Sequence, residues 1–180
     1  MAARAHHGVR IRRATTQDAG FILEMLAEAA SWQRPAGAPP PAVEDVLTGS
    51  SAHYGEGWPR RGDAGAVAEL DGRAVGACWI RFLTADDPGW GYVADDVPEV
   101  SIAVREHARR RGIGTGLLAT TVDLARQAGI RGLSLSVSHG NAARRIYERA
   151  GFVAVGEDGV SATLLLTLAG NGGTEQGRAP

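Results

Sequence analysis

No lysine occurs among the 180 residues; all 19 basic side chains are arginine. That excludes Schiff-base chemistry on a lysine, the attachment used by pyridoxal-phosphate enzymes. The lone cysteine, Cys78, excludes an intramolecular disulfide and suits a reducing cytoplasm. Neither sign of charge is in excess: the net charge is −1, so no global field draws in nucleic acid or an anionic membrane. No apolar run reaches the length of a membrane span. The first seven residues carry arginine without the hydrophobic segment of a secretory signal. Aromatic residues make up 6% of the chain, and none is interleaved with the basic cluster at 105–111, as a nucleic-acid patch would require. The remaining length suits one domain that buries about 70% of its unfolded surface.

The most informative stretch is Arg109-Arg110-Arg111-Gly112-Ile113-Gly114-Thr115-Gly116. Before it, residues 100–104 alternate as a strand does. After it, Ile113, Leu117, Thr121, Leu124, Ala125 and Ala128 recur at helical spacing until Gly129. Arginines and glycines therefore lie between a strand and the first turn of a helix. There, unpaired backbone N–H groups and the positive end of the helix dipole favour an anion. A nucleotide P-loop is excluded because Gly116 is followed by Leu117-Leu118 instead of Lys-Ser/Thr. The dinucleotide fingerprint fails at Leu117, where its last glycine belongs. The pattern that remains is Arg109-x-x-Gly112-x-Gly114; taken alone, it also reads as an exposed, arginine-rich turn capping an ordinary helix.

The flanking chain reads as one domain over residues 9–168, with a flexible lead-in at 1–8 and a polar, Gly-rich tail at 169–180 that is expected to be disordered. Residues 9–13 alternate as a first strand, and Thr15 to Asp18 has capping-box spacing. Ile22, Met25, Leu26 and Ala29 then form a helical stripe to about Trp32. A proline-rich connection leads to a short helix near 43–47 and an aromatic, turn-rich stretch at 53–59. Such loops often shape substrate pockets, though packing of Trp58 on the sheet is the plainer reading. Residues 64–70 and 73–82 make a hairpin around Asp71-Gly72, with Cys78 inside its second strand as an inert buried thiol. The loop at 84–98 carries Asp86, Asp87, Asp95 and Asp96. It reads as a rim that attracts a cationic amine or as plain loop solubility, and it lacks metal-ligand spacing. A strand at 131–137 is followed by a helix over 142–150 with Asn141 as its N-cap, then strands at 152–155 and 161–168.

A second motif adds to the first. Gly140-Asn141-x-Ala143-x-x-x-Tyr147-x-x-x-Gly151-Phe152 follows the Arg/Gly stretch after one helix and one strand. The pair, in this order, resembles the GNAT superfamily of acyl-CoA-dependent N-acyltransferases. The resemblance implies an α/β fold with a mixed, mostly antiparallel twisted sheet flanked by helices. Its two central parallel strands would be splayed, with acetyl-CoA as co-substrate in the gap. Carried onto this chain, pantetheine would pair with the backbone of Ile102, Ala103 and Val104. The amides of Arg110, Arg111, Gly112, Ile113, Gly114 and Thr115 would hold the pyrophosphate, with Arg109, Arg110 and Arg111 supplying charge. Asn141 would contact pantetheine or its neighbouring backbone, and Tyr147 would point its hydroxyl at the CoA sulfur. Members of the superfamily are often homodimers.

The chemistry asks for three groups. The amine must lose a proton, the oxyanion needs a donor such as a backbone N–H near Val104, and the leaving thiolate needs an acid. Tyr147 is the candidate acid, its alternative being a core tyrosine. Glu99, at the start of the central strand, is the candidate base, its alternatives being a solvated carboxylate, a water chain, Asp95 or Asp96. His107 and His139 read as surface residues. The expected activity is N-acetyl transfer to an amine of cationic character in the cytoplasm, with no nucleic acid, membrane or metal involved. A different acyl donor and a non-catalytic CoA-binding module are the rivals.

Overall fold

A computed structural model describes residues 8–168; the flexible lead-in and disordered tail expected at the ends fall outside them, apart from Gly8. Seven strands form one sheet in the order β1-β2-β3-β4-β5-β7-β6. They are β1 (Val9–Arg13), β2 (Ala64–Leu70), β3 (Arg73–Arg81), β4 (Glu99–Val104), β5 (Gly132–Ser138), β6 (Val153–Glu157) and β7 (Ser161–Thr167). Four helices join them: α1 (Ala19–Ala30), α2 (Val43–Leu47), α3 (Ile113–Gln127) and α4 (Arg144–Arg149).

Both faces of the sheet are covered, and the period-two side-chain alternation of the strands explains how. On β2 and β3, Ala66, Ala68, Cys78 and Ile80 turn toward α3 and meet Ile113, Leu117, Leu118 and Val122. Their neighbours Val67, Ala77 and Trp79 turn to the opposite face and meet Ile22, Met25 and Leu26 of α1, together with Trp58. The reading of Trp58 as a packing residue therefore holds. Cys78 is fully buried, and desolvation pushes its thiol pKa up to about 12, which leaves it unreactive.

All strand pairs are antiparallel except β4 with β5. These two touch in register only at Glu99 and Ser134, where the Ser134 N–H donates to the Pro98 carbonyl at 3.0 Å. Beyond that point they separate. β4 keeps six paired positions with β3, while its other edge is left without a strand partner among the described residues.

The capping box expected at Thr15 to Asp18 forms, whereas α4 starts later than expected. α1 is entered through a 3-10 turn, Thr16–Asp18, in which the Asp18 carboxylate accepts the Thr15 N–H at 2.7 Å and grips Arg12 through both oxygens. α4 begins at Arg144, two residues after the position expected for it. Asn141 holds the preceding turn instead: its Oδ1 accepts the Ala143 N–H at 2.9 Å and its carbonyl accepts the Arg144 N–H at 3.1 Å.

Candidate active site

The parting of β4 and β5 opens a cleft of about 820 Å³. One wall is β4, the start of α3, β5 and α4. The other comes from Leu26, Glu28, Ala29, Ala30 and Trp32 around α1, with Tyr54 and Trp90 from the loops. Arg105 donates its N–H to Val75 on β3, so by strand alternation Val104 and Ile102 turn their backbone groups away from β3 and into the gap. The Val104 carbonyl is already taken by the Arg109 guanidinium at 2.9 Å. The Val104 N–H and both backbone groups of Ile102 are left facing the cleft, as a missing strand would need.

At the far end of β4 the chain makes a 3-10 turn, Glu106–Ala108, and then enters two left-handed residues, Arg110 (φ 61) and Gly112 (φ 76). Gly112 accepts the Gly116 N–H at 3.0 Å, the first bond of α3, so the amides of Ile113, Gly114 and Thr115 precede the helical ladder. Gly112, Ile113, Gly114 and Thr115 all line the cleft. A side chain at position 112 would meet the strain of positive φ. The three arginines separate in their placement. Arg110 lines the cleft, whereas Arg111 is exposed and does not. Arg109 lines it, but its guanidinium turns back to Glu28 at 2.8 Å. Glu28 is buried and also takes Arg34 at 2.7 Å, so Arg109 anchors the loop to α1 and part of its charge is offset there.

Glu99 is 2% exposed and lines the cleft at the point where β4 and β5 part. Its Oε2 accepts the Tyr54 hydroxyl at 2.8 Å and the Gly91 N–H at 2.9 Å, and Tyr54 accepts the Trp90 N–H at 2.7 Å. Its Oε1 is buried and has no hydrogen-bond partner among the described residues. Burial raises the Glu99 pKa above the ordinary glutamate value, and the hydrogen bonds from Tyr54 and Gly91 pull against that rise. Tyr147, on α4, lines the same cleft, is nearly buried and packs edge-on against Phe152 with ring centroids 5.9 Å apart. Desolvation raises its phenol pKa, which keeps it protonated at neutral pH.

Several expected groups lie elsewhere. Asp95 and Asp96 are exposed and do not line the cleft. Asp95 accepts the Ala85 N–H and the Tyr92 hydroxyl, and Asp96 faces Arg131. Asp86 and Asp87 do not line it either, Asp87 being engaged with His53 at 2.9 Å. The loop therefore reaches the cleft through Trp90 and not through its four aspartates. His107 and His139 are exposed, as expected. Tyr54, Gly89 and Gly91 were not among the sequence candidates, and the signals for them were weak: a tyrosine in a turn-rich stretch, and two glycines around Trp90. Gly91 is required by close approach, because a Cβ there would lie 2.3 Å from the Leu135 carbonyl carbon.

Residues 23–152 match the model of a family described as Acetyltransferase (GNAT) family. A Xenopus tropicalis protein described as probable N-acetyltransferase camello is 36% identical over 87 residues, which cover 48% of this chain and 36% of that one. The chain thus spans little more than a third of that relative's length. Among solved structures, ribosomal-protein-alanine N-acetyltransferase from Brucella melitensis superposes with a TM-score of 0.63 at 24% identity, covering 88% of this chain and 99% of that one. yncA of Salmonella typhimurium, solved with its cofactor acetyl-CoA, gives 0.63 at 21% identity over 97% and 98% of the two chains. A Sinorhizobium meliloti phosphinothricin acetyltransferase in complex with acetyl-CoA gives 0.61 at 20% identity over 89% of each. These structures share the fold. Among the described residues no helix is long and apolar enough to cross a membrane.

Proposed function

Because the chain belongs to the acetyltransferase (GNAT) family, we propose that it transfers the acetyl group of acetyl-CoA to a primary amine by direct attack in a ternary complex. The observation that carries this reading is the union of two features in one cleft: an unpaired β4 edge and the open amides at the start of α3. A pantetheine arm extended along Ile102 to Val104 would bring its pyrophosphate to the amides of Ile113, Gly114 and Thr115, with Arg110 beside it. Asn141 lines the same cleft next to Tyr147.

The amine acts as a nucleophile only as the free base, and Glu99 is the group that takes its proton. Nitrogen then forms a bond to the thioester carbonyl carbon, and the Ile102 N–H, at the end of the arm away from the pyrophosphate, would donate to the oxyanion in place of the Val104 N–H. When the intermediate collapses the C–S bond breaks, the electron pair leaves on sulfur, and the Tyr147 hydroxyl supplies the proton that makes the free thiol; the bonded nitrogen gives up its second proton to the phenolate, which leaves a neutral amide and restores Tyr147. With Asp86, Asp87, Asp95 and Asp96 outside the cleft, nothing in its lining selects a polycation. The test is release of CoA thiol from acetyl-CoA with benzylamine, spermidine, glutamate and a short peptide with an N-terminal alanine. Amine-dependent thiol release supports the reading. Acetyl-CoA binding without release for any amine would favour a non-catalytic CoA-binding module.

A further inference from the structure

Glu99 is held by more than its own strand. Tyr54 belongs to the 3-10 turn Ala52–Tyr54, far from β4 in sequence, and its backbone is pinned to β3 because the Trp79 Nε1–H donates to the Tyr54 carbonyl at 2.8 Å. Arg81 ties down the same turn, donating to the carbonyls of His53 at 2.9 Å and Glu56 at 2.8 Å. From this fixed base the Tyr54 hydroxyl reaches Glu99 Oε2 while receiving the Trp90 N–H. The other carboxylate oxygen, Oε1, is the one left unpartnered. Gly89 packs directly against it, so closely that only glycine fits: a Cβ there would sit 2.1 Å from Oε1 and 2.5 Å from the Tyr54 hydroxyl.

We propose that Tyr54 is the positioning residue for the base: its hydroxyl fixes Oε2 of Glu99 so that Oε1 alone is left to take the proton of the acceptor amine. The inference rests on the reading of Glu99 as that base. It gives the 53–59 stretch a function, and it explains why a carboxylate at the end of an apolar strand has one oxygen saturated and the other bare. In the ionised state Oε2 accepts two hydrogen bonds and Oε1 carries the free lone pairs. Proton transfer forms an O–H bond at Oε1 and leaves the amine neutral, with no other reactant needed. The charged and titratable groups around Glu99 are Tyr54 and His53 from the 3-10 turn, Asp87 through its pair with His53, and the Arg81–Asp63 ion pair. Across β5 it faces Ser134, which does not titrate.

The test compares wild type, Tyr54→Phe, Gly89→Ala and Glu99→Gln. The carboxyl of Glu99 is followed by 13C NMR in protein labelled at glutamate carboxyls, with Glu99→Gln identifying the resonance. Tyr54→Phe keeps the ring and removes only the donor to the ionised carboxylate. The Glu99 titration midpoint should therefore rise by about one pH unit. The acid limb of kcat/KM, measured with the best amine of the panel, should rise with it, while the Kd for acetyl-CoA stays within about twofold. Gly89→Ala, which crowds Oε1 and the Tyr54 hydroxyl directly, should lower kcat and the thermal midpoint together. An unmoved midpoint and acid limb in Tyr54→Phe, with Glu99→Gln inactive, would overturn the role of Tyr54 alone. Full turnover in Glu99→Gln would overturn the assignment of the base and this inference with it.

Discussion

Two ionisable side chains in the cleft are pushed the same way by burial, and the consequences differ because one is wanted ionised and the other protonated. Glu99 has a raised pKa, so it becomes a base only as pH rises through a value above the ordinary glutamate range. The acid limb of kcat/KM is therefore expected above pH 4.3 or so, and a profile flat down to that region would contradict the assignment. Stability runs the other way. A carboxyl whose folded-state pKa exceeds its unfolded value binds its proton more tightly in the native state, so its contribution falls as pH rises through the folded value. Glu99→Gln should accordingly lose on the order of 10²–10⁴ in kcat while melting at or above the wild-type temperature at neutral pH. A variant that is both inactive and clearly less stable would mean that the carboxylate has a structural role. Tyr147→Phe should lower kcat by on the order of 10²-fold with little change in acetyl-CoA affinity, measured by turnover and calorimetry side by side. Gly112 and Asn141 were legible in the sequence because local backbone needs put them there, a left-handed residue and a turn held by a side chain, whereas Gly114 and Tyr147 were legible only as members of the two motifs. Tyr54 was not: its role comes from a contact with Glu99 forty-five positions away, which no local pattern encodes.

At the scale of elements, the separation of β4 from β5 creates the site, and the loop between β3 and β4 helps keep it open. Gly91 rests on the β5 backbone at Leu135 and Ser136 and donates its N–H to Glu99. Gly91→Ala should therefore lift the loop off both partners. The expected cost is about 1–3 kcal/mol of stability and a loss of kcat/KM, read by denaturant unfolding and turnover. Wild-type values for both would show that the loop docks some other way. The strands, α3 and the hairpin were readable because alternation and helical spacing are long-range enough to be unambiguous. The start of α4 was misplaced by two residues because Asn141 caps through its side chain a turn that only then becomes helix. Arg109 likewise matched the motif, but its second attachment to Glu28 depends on α1 packing across β4.

For the molecule as a whole, the sheet order and the apolar layers on its two faces follow from the alternation of β2 and β3, and the cleft is what remains where that order is interrupted. A ligand that fills it must stabilise the native state by mass action, about 2.7 kcal/mol at a hundredfold excess over Kd. Acetyl-CoA should thus raise the thermal midpoint, and free adenosine should do so far less. Calorimetric titration of acetyl-CoA into the wild-type protein and Gly114→Trp is the most direct check. A Cβ at position 114 lies 3.4 Å from the Ile146 side chain and 3.9 Å from that of Ile102. An indole there would fill the gap between the walls without disturbing the helix backbone. Binding with a Kd on the order of micromolar in wild type, abolished in a variant that melts normally, is the expected result. Absence of binding in wild type, or equal binding in both proteins, would contradict the placement of acetyl-CoA between β4 and β5.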